Sequence, residues 1–202
     1  MKLYFYPGAC SMASNIALHE AGIQFELSKV DRRTKRADGV EFTTLNPKGY
    51  VPALRLDDGQ ILTENVAVLQ YIADLNPAAK LAPAAGTMER YRLQEWLSFI
   101  NSEVHKAFSP LFSAEATEDT KTYARNYVTN RLNYLEKALG DRKYLMGEQF
   151  TVADAYLFVV LGWGVHVGVD IGQWPKLKNY VDRIRARPHV IEAMTAEGLI
   201  KK

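Results

Sequence analysis

Hydrophobic and polar positions change their spacing twice along the chain. At the start, "KLYFY" is short and rich in strand formers, which predicts a strand that Pro7 and Gly8 break. From Ser11 to Ala21 the apolar positions take helical spacing, with Met12, Ile16 and Ala17 or Leu18 near one face and Gly22 as the stop. "FELSKVD" (residues 25–31) alternates as a second strand, and the polar stretch around Lys35, Arg36 and Gly39 predicts a loop with a poorly formed helix. "PALRL" and "QIL" are short strands joined by a turn at Asp57-Asp58-Gly59. Thr63 is the expected N-cap of a helix that carries Val66, Leu69, Gln70 and Ala73 to about Leu75. The order β-α-β-α-β-β-α predicts a small sheet covered by helices.

The second change comes at "NPAAKLAPAAG" (76–86), where prolines and alanines without period read as a linker. Beyond it strand signals vanish. Helical patterns cover roughly 87–113, 117–139 and 151–168, with shorter ones near 175–186 and 188–197. The expected architecture is α/β plus all-α: a domain over 1–80 and an all-helical domain over 87–202. Within the latter, "FTVADAYLFVV" carries Thr151 as N-cap, Asp154 as capping-box partner and Phe150 as staple. That motif specifies folding rather than chemistry.

Composition narrows the function. With 48% hydrophobic and 24% charged residues, a packed globular chain is expected. A net charge of +2 argues against nucleic acid or a membrane surface as the main partner. The single cysteine, Cys10, cannot form an intramolecular disulfide. No signal-peptide pattern opens the chain, and the apolar run Ala155 to Val169 is shorter than the ~18 residues a membrane span needs, so a soluble, cytoplasmic protein is expected. His19, His105, His166 and His189 are scattered without ligand spacing, so no metal is expected. No Walker or dinucleotide-binding glycine pattern occurs.

Four places can carry chemistry. Cys10 stands at the end of a strand and the start of a helix, where unpaired N–H groups and the helix dipole favour thiolate. The alternative is a small buried hydrophobe. Cys10-Ser11-Met12-Ala13 lacks a second thiol, so redox or transfer chemistry needs one from outside, and the Ser11 hydroxyl can donate to a sulfur anion. Val51-Pro52 at a strand start would leave the Val51 N–H and C=O free to pair with an extended ligand. Glu64 and Asn65 open a helix, either complementing its dipole or capturing an α-amino group and its carboxylate. In "EWLSFINSEVHKAF", Ser98, Ser102 and His105 fall on one helix face with Asn101 beside them and Lys106 following. The stripe is either a solvated face or one whose imidazole orients or protonates a ligand near neutral pH.

Taken in order and spacing, "MKLYFYPGACSMAS", "NPKGYVPAL", "LTENVAVLQYIADL", "EWLSFINSEVHKAFSPLF" and "FTVADAYLF" resemble the bacterial beta-class glutathione S-transferases over nearly the whole chain. The resemblance implies a thioredoxin-like N-terminal domain, an all-helical C-terminal domain and a homodimer with two glutathione sites. It implies glutathione as co-substrate and a small apolar electrophile as partner, and it makes glutathione the missing second thiol. Ala9, Cys10 and Ser11 would lie at the glutathione sulfur, with Val51 pairing the cysteinyl unit beside a cis Pro52. Glu64 and Asn65 would hold the γ-glutamyl end and Lys35 the glycyl carboxylate. His105 and Ser102 would line the site near the sulfur, Ser98 and Ser102 would take the places from which the partner subunit completes it, Lys106 would also bind glutathione, and Trp163 and His166 would line the electrophile pocket. The chain departs from the family pattern at Phe5, where tyrosine is common, at Asn65, where serine or glycine is usual, and at Ser98, where asparagine is usual. A glutathione-dependent isomerase or dehalogenase is an alternative on the same fold. A non-catalytic ligand binder is another, although it would not need Cys10, Glu64 and His105 together.

Overall fold

The strand signals near the start of the chain assemble into one mixed sheet in a computed structural model that describes residues 1–201. β1 (Lys2–Phe5) runs parallel to β2 (Glu26–Lys29), with Leu3 beside Leu27. On its other side it runs antiparallel to β5 (Ala53–Arg55), with Leu3 beside Leu54, and β6 (Ile61–Thr63) closes the edge next to β5. A parallel β1–β2 step requires a crossover, which α1 (Ser11–Glu20) supplies. α1 packs against β1, α3 (Asn65–Leu75) and α10 (Pro188–Ala196). This surrounds it, so Ser11 to Leu18 are all buried, polar residues included.

Residues 32–46 differ from the expected loop and poor helix. They form a two-stranded ribbon, β3 (Arg36–Ala37) and β4 (Val40–Glu41), followed by one turn of helix, α2 (Phe42–Leu45). The cause is Asp38-Gly39: both have positive φ, 50° and 80°, as a two-residue hairpin turn demands. The Asp38 carboxylate then accepts from Lys2 Nζ (2.9 Å) and Ser28 Oγ (2.8 Å), which ties the ribbon to β1 and β2.

The chain divides into two compact units, Met1–Ala82 with the segment from Ala186 onward, and Pro83–Arg185. The division falls inside the expected linker, but the expected helical domain over 87–202 loses its last stretch to the first unit. Physical ties explain this. Arg187 forks onto Glu20, with Nε–Oε1 at 2.6 Å and Nη2–Oε2 at 2.7 Å. Val190 and Ala193 of α10 are fully buried, and Glu197 just beyond accepts from Gly8 N (2.9 Å) and Asn15 Nδ2 (3.1 Å).

In the second unit, α4 (Met88–Phe99) continues through a π-helical turn, Ile100–His105, into α5 (Lys106–Phe112). α6 (Glu118–Leu139) and α9 (Pro175–Arg185) present amphipathic faces, while α7 (Val152–Gly162) is buried from Val152 through Leu161 and forms the unit's centre. The capping box at its start is present as expected. Asp154 is fully buried and accepts from Leu145 N (2.8 Å), Thr151 N (2.8 Å), Thr151 Oγ1 (2.9 Å) and Tyr180 OH (2.9 Å). The helix expected over 151–168 breaks at Trp163 before a short α8 (Gly164–Val167). Gly164 approaches Val169 so closely that a Cβ would stand 2.5 Å from its carbonyl oxygen, so only glycine fits. Among the described residues, no helix is long and apolar enough to cross a membrane.

Candidate functional site

In the first unit, the loop Pro7–Cys10 turns β1 into α1 and delivers Cys10 as the α1 N-cap, half-buried. Its thiol donates to the Val51 carbonyl at 3.3 Å. The Val51–Pro52 bond is cis. Val51 therefore differs from the expectation of two free backbone groups: Cys10 occupies its C=O, while among the described residues its N–H has no partner. Ala9 closes the loop by donating its N–H to Tyr6 O (3.1 Å). Ser11 also differs. Fully buried, its hydroxyl donates to Tyr6 O at 3.3 Å and accepts from Tyr6 N at 3.3 Å, so it braces the loop rather than facing sulfur.

At the other end of the same unit, Thr63 is not the N-cap of α3, because its backbone remains in the β6 ladder opposite Ala53. Glu64 holds that position with φ +69°, a strained left-handed value for a side-chain-bearing residue. Its exposed carboxylate receives Lys48 Nζ at 2.6 Å, and Lys48 also donates to Thr63 Oγ1 at 3.0 Å. Asn65 is 5% exposed; its Oδ1 accepts from Ser14 Oγ at 2.8 Å, while its Nδ2 is buried without a partner among the described residues. Lys35 is exposed, its ammonium 5.9 Å from the Tyr6 ring centre, and the Arg32 guanidinium sits 5.0 Å from the same ring. Arg32 and Lys48 are cations that sequence reasoning missed. Only Lys48's place in "NPKGY" could have signalled either.

The second unit holds the other expected residues. The π-helical turn widens the backbone between Ser102 and His105, so the expected α-helical stripe does not persist to the histidine. Ser98 and Ser102 are exposed, and the Ser102 hydroxyl donates back to Ser98 O at 2.9 Å. His105 turns inward. Tyr156 OH donates to Asn101 Oδ1 (3.0 Å), so the tyrosine oxygen accepts from His105 Nδ1 (2.7 Å), which leaves Nε2 with the lone pair. Trp163 stacks edge-on against the imidazole at 4.7 Å and also meets Phe108 and Phe112. Burial, with Lys106 next to it, lowers the imidazole to about 4. Of the two roles expected for this ring, orienting a ligand or protonating it near neutral pH, the lowered value favours orienting. Tyr156 escaped the sequence reading because it lies in the capping motif. Lys106 and His166 are exposed. A cavity of about 480 Å³ among α7, α8 and α9, lined by residues such as Leu161, Val169, Val181 and Arg185, shares no residue with the His105 cluster.

The chain is similar throughout to known proteins. Residues 8–75 match the family described as "Glutathione S-transferase, N-terminal domain", and 99–188 match "Glutathione S-transferase, C-terminal domain". It is 44% identical over 200 residues to glutathione S-transferase GstA of Escherichia coli O157:H7, covering 98% of this chain and all of that one. A beta-class glutathione S-transferase of Sphingomonas chungbukensis has a solved structure with TM-score 0.96 and 52% identity, covering 99% of this chain and all of that one. A sphingomonad glutathione S-transferase complexed with glutathione has TM-score 0.96 and 50% identity, with the same coverage.

Proposed function

The chain belongs to the glutathione S-transferase family, and we propose that it binds glutathione along the first unit, sulfur against the start of α1, for transfer to a small apolar electrophile. The observation that carries this is the Cys10 thiol at the α1 N-cap, 3.3 Å from the carbonyl of a Val51 whose N–H is unused. An extended tripeptide can take that N–H through its cysteinyl unit. The positive end of α1 then stabilises the thiolate. Glu64 suits the γ-glutamyl ammonium and the start of α3 its carboxylate. Lys35 and Arg32 offer charge for the glycyl carboxylate. Within the second unit, His105 is a neutral ring fixed by Tyr156 beside Trp163.

Two routes use this site. In conjugation, a glutathione thiolate forms a carbon–sulfur bond and the electrophile's leaving group departs with the bonding pair. In exchange, the Cys10 thiolate attacks the glutathionyl sulfur of a mixed disulfide, the other thiolate leaves, and a second glutathione releases Cys10 as oxidised glutathione forms. The reading includes a homodimer acting in cytoplasmic detoxification. Exposed Met88, Tyr91, Tyr123 and Tyr134 on α4 and α6 support association of chains.

Kinetics of Cys10→Ala test the routes. Glutathione-dependent disulfide reduction is expected to vanish, while conjugation to 1-chloro-2,4-dinitrobenzene persists in part. Equal loss of both activities overturns the separation.

A further inference from the structure

The cavity of about 480 Å³ in the second unit takes no part in the proposed glutathione site, and its volume lies in the range of small-molecule pockets. Its walls are apolar: Leu161 comes from α7, Val165 from α8, Val169 and Ile171 from the chain after it, and Val181 from α9. Three glycines also line it, and the backbone requires only two of them. Gly164 lies too close to Val169 for a side chain, and Gly168 has φ +75°. Gly162 is different. It is the last residue of α7, the backbone continues right-handed through Trp163, and a Cβ at Gly162 would meet nothing within 4 Å. Glycine in a helix is less favourable than alanine, so the fold gains nothing from it here. The missing side chain instead leaves the cavity open.

Charge selects the occupant. Arg185, the last residue of α9, is the one basic residue of the lining and has neither hydrogen bond nor ion pair among the described residues. The one acidic residue, Asp170, is committed to the chain: it caps the turn Ile171–Gln173, with Oδ1 accepting from Gly172 N at 2.8 Å. Neighbouring cations of α9 are engaged as well, Arg183 on Lys143 O and Lys178 on Asp182. A guanidinium with free donors beside apolar walls complements a carboxylate carried on an apolar body. We propose that this cavity binds a small apolar monocarboxylate, its body between α7 and α9 and its carboxylate on Arg185, with Gly162 keeping the space open. Glutathione, with two carboxylates and an ammonium, does not suit these walls, so the inference is independent of the glutathione reading.

NMR titration of the isotopically labelled full chain with 2-naphthoate, and with 2-naphthamide as its uncharged counterpart, tests this. Saturable shifts are expected at the Gly162, Gly168, Val169 and Arg185 amides, with 2-naphthoate the tighter ligand. Arg185→Gln is expected to weaken 2-naphthoate about tenfold, as for one hydrogen bond to a charged group, and to leave 2-naphthamide unchanged. Gly162→Leu fills the cavity and abolishes binding of both. Gly162→Ala raises the thermal midpoint, because the glycine serves no need of the fold. Arg185 is exposed, so its replacement keeps the fold and tests the proposal even where Gly162→Leu does not fold. No saturable shift at these amides, equal affinity of the wild-type chain for carboxylate and amide, 2-naphthoate binding unchanged by either Arg185→Gln or Gly162→Leu, or a lower thermal midpoint for Gly162→Ala overturns the proposal.

Discussion

Replacing Glu197 with Gln should stabilise the protein at alkaline pH and change it little in acid. Glu197 is 6% exposed and accepts from Gly8 N–H and Asn15 Nδ2, yet burial pushes its carboxyl up from 4.5 to about 7. The sign follows from where protons bind. Below 4.5 the carboxyl is protonated whether the chain is folded or not, and it contributes no pH dependence. Between 4.5 and about 7 the unfolded chain loses the proton while the folded chain keeps it, so stability falls as pH rises. Above 7 the cost is complete. A difference of about 2.5 units, at about 1.36 kcal/mol each, is about 3 kcal/mol, of which about 1 kcal/mol is already present at pH 5. The glutamine keeps an acceptor for Gly8 N–H and carries no charge to desolvate. Its NH₂ takes the place of the oxygen that accepts from Asn15 Nδ2, so the Asn15 amide turns over to present Oδ1, which is otherwise buried and unpartnered among the described residues. Urea denaturation of both proteins at pH 5 and pH 8.5, at one protein concentration and ionic strength, reads the effect. The stability gap should move in favour of Glu197→Gln by about 2–3 kcal/mol between the two pH values. A gap independent of pH would refute the reasoning.

Asp154→Ala strips four donors of their acceptor inside the second unit, and at about 1 kcal/mol or more each the expected loss is about 4 kcal/mol. Thermal unfolding should fall by roughly 10 °C, and a fall of a degree or two would show that the box does not organise the fold. Burial of His105 predicts that its ring titrates near 4 in an NMR pH series. Since its value is lowered, its stability contribution is complete above 6.5 and is lost as pH falls toward 4. A midpoint above 6 would contradict the buried, neutral ring.

Local order was the legible part of this fold. Alternation marked β2, helical spacing marked α1 and α6, and Thr151 with Asp154 marked the start of α7, because each signal lies within a few adjacent residues. The Asp38-Gly39 hairpin was also local, but flanking charges made it read as loop. What escaped depended on contacts distant in sequence. Nothing near Arg187 indicates that Glu20 awaits it, so the local pattern places α10 with the helical domain. Ser11 and Cys10 were placed correctly at a helix start, yet their partners, Tyr6 and Val51, come from the loop before α1 and the approach to β5. For His105 the sequence supplied identity but not environment: Tyr156 and Trp163 determine its proton and orientation, and the π-helical turn determines its direction.

Intact mass of the purified chain after incubation with oxidised glutathione tests the central claim most directly. One glutathionyl adduct per chain is expected, reversed by reductant and absent from Cys10→Ala. No adduct, together with no heat on titration with reduced glutathione, would contradict a glutathione site at the start of α1.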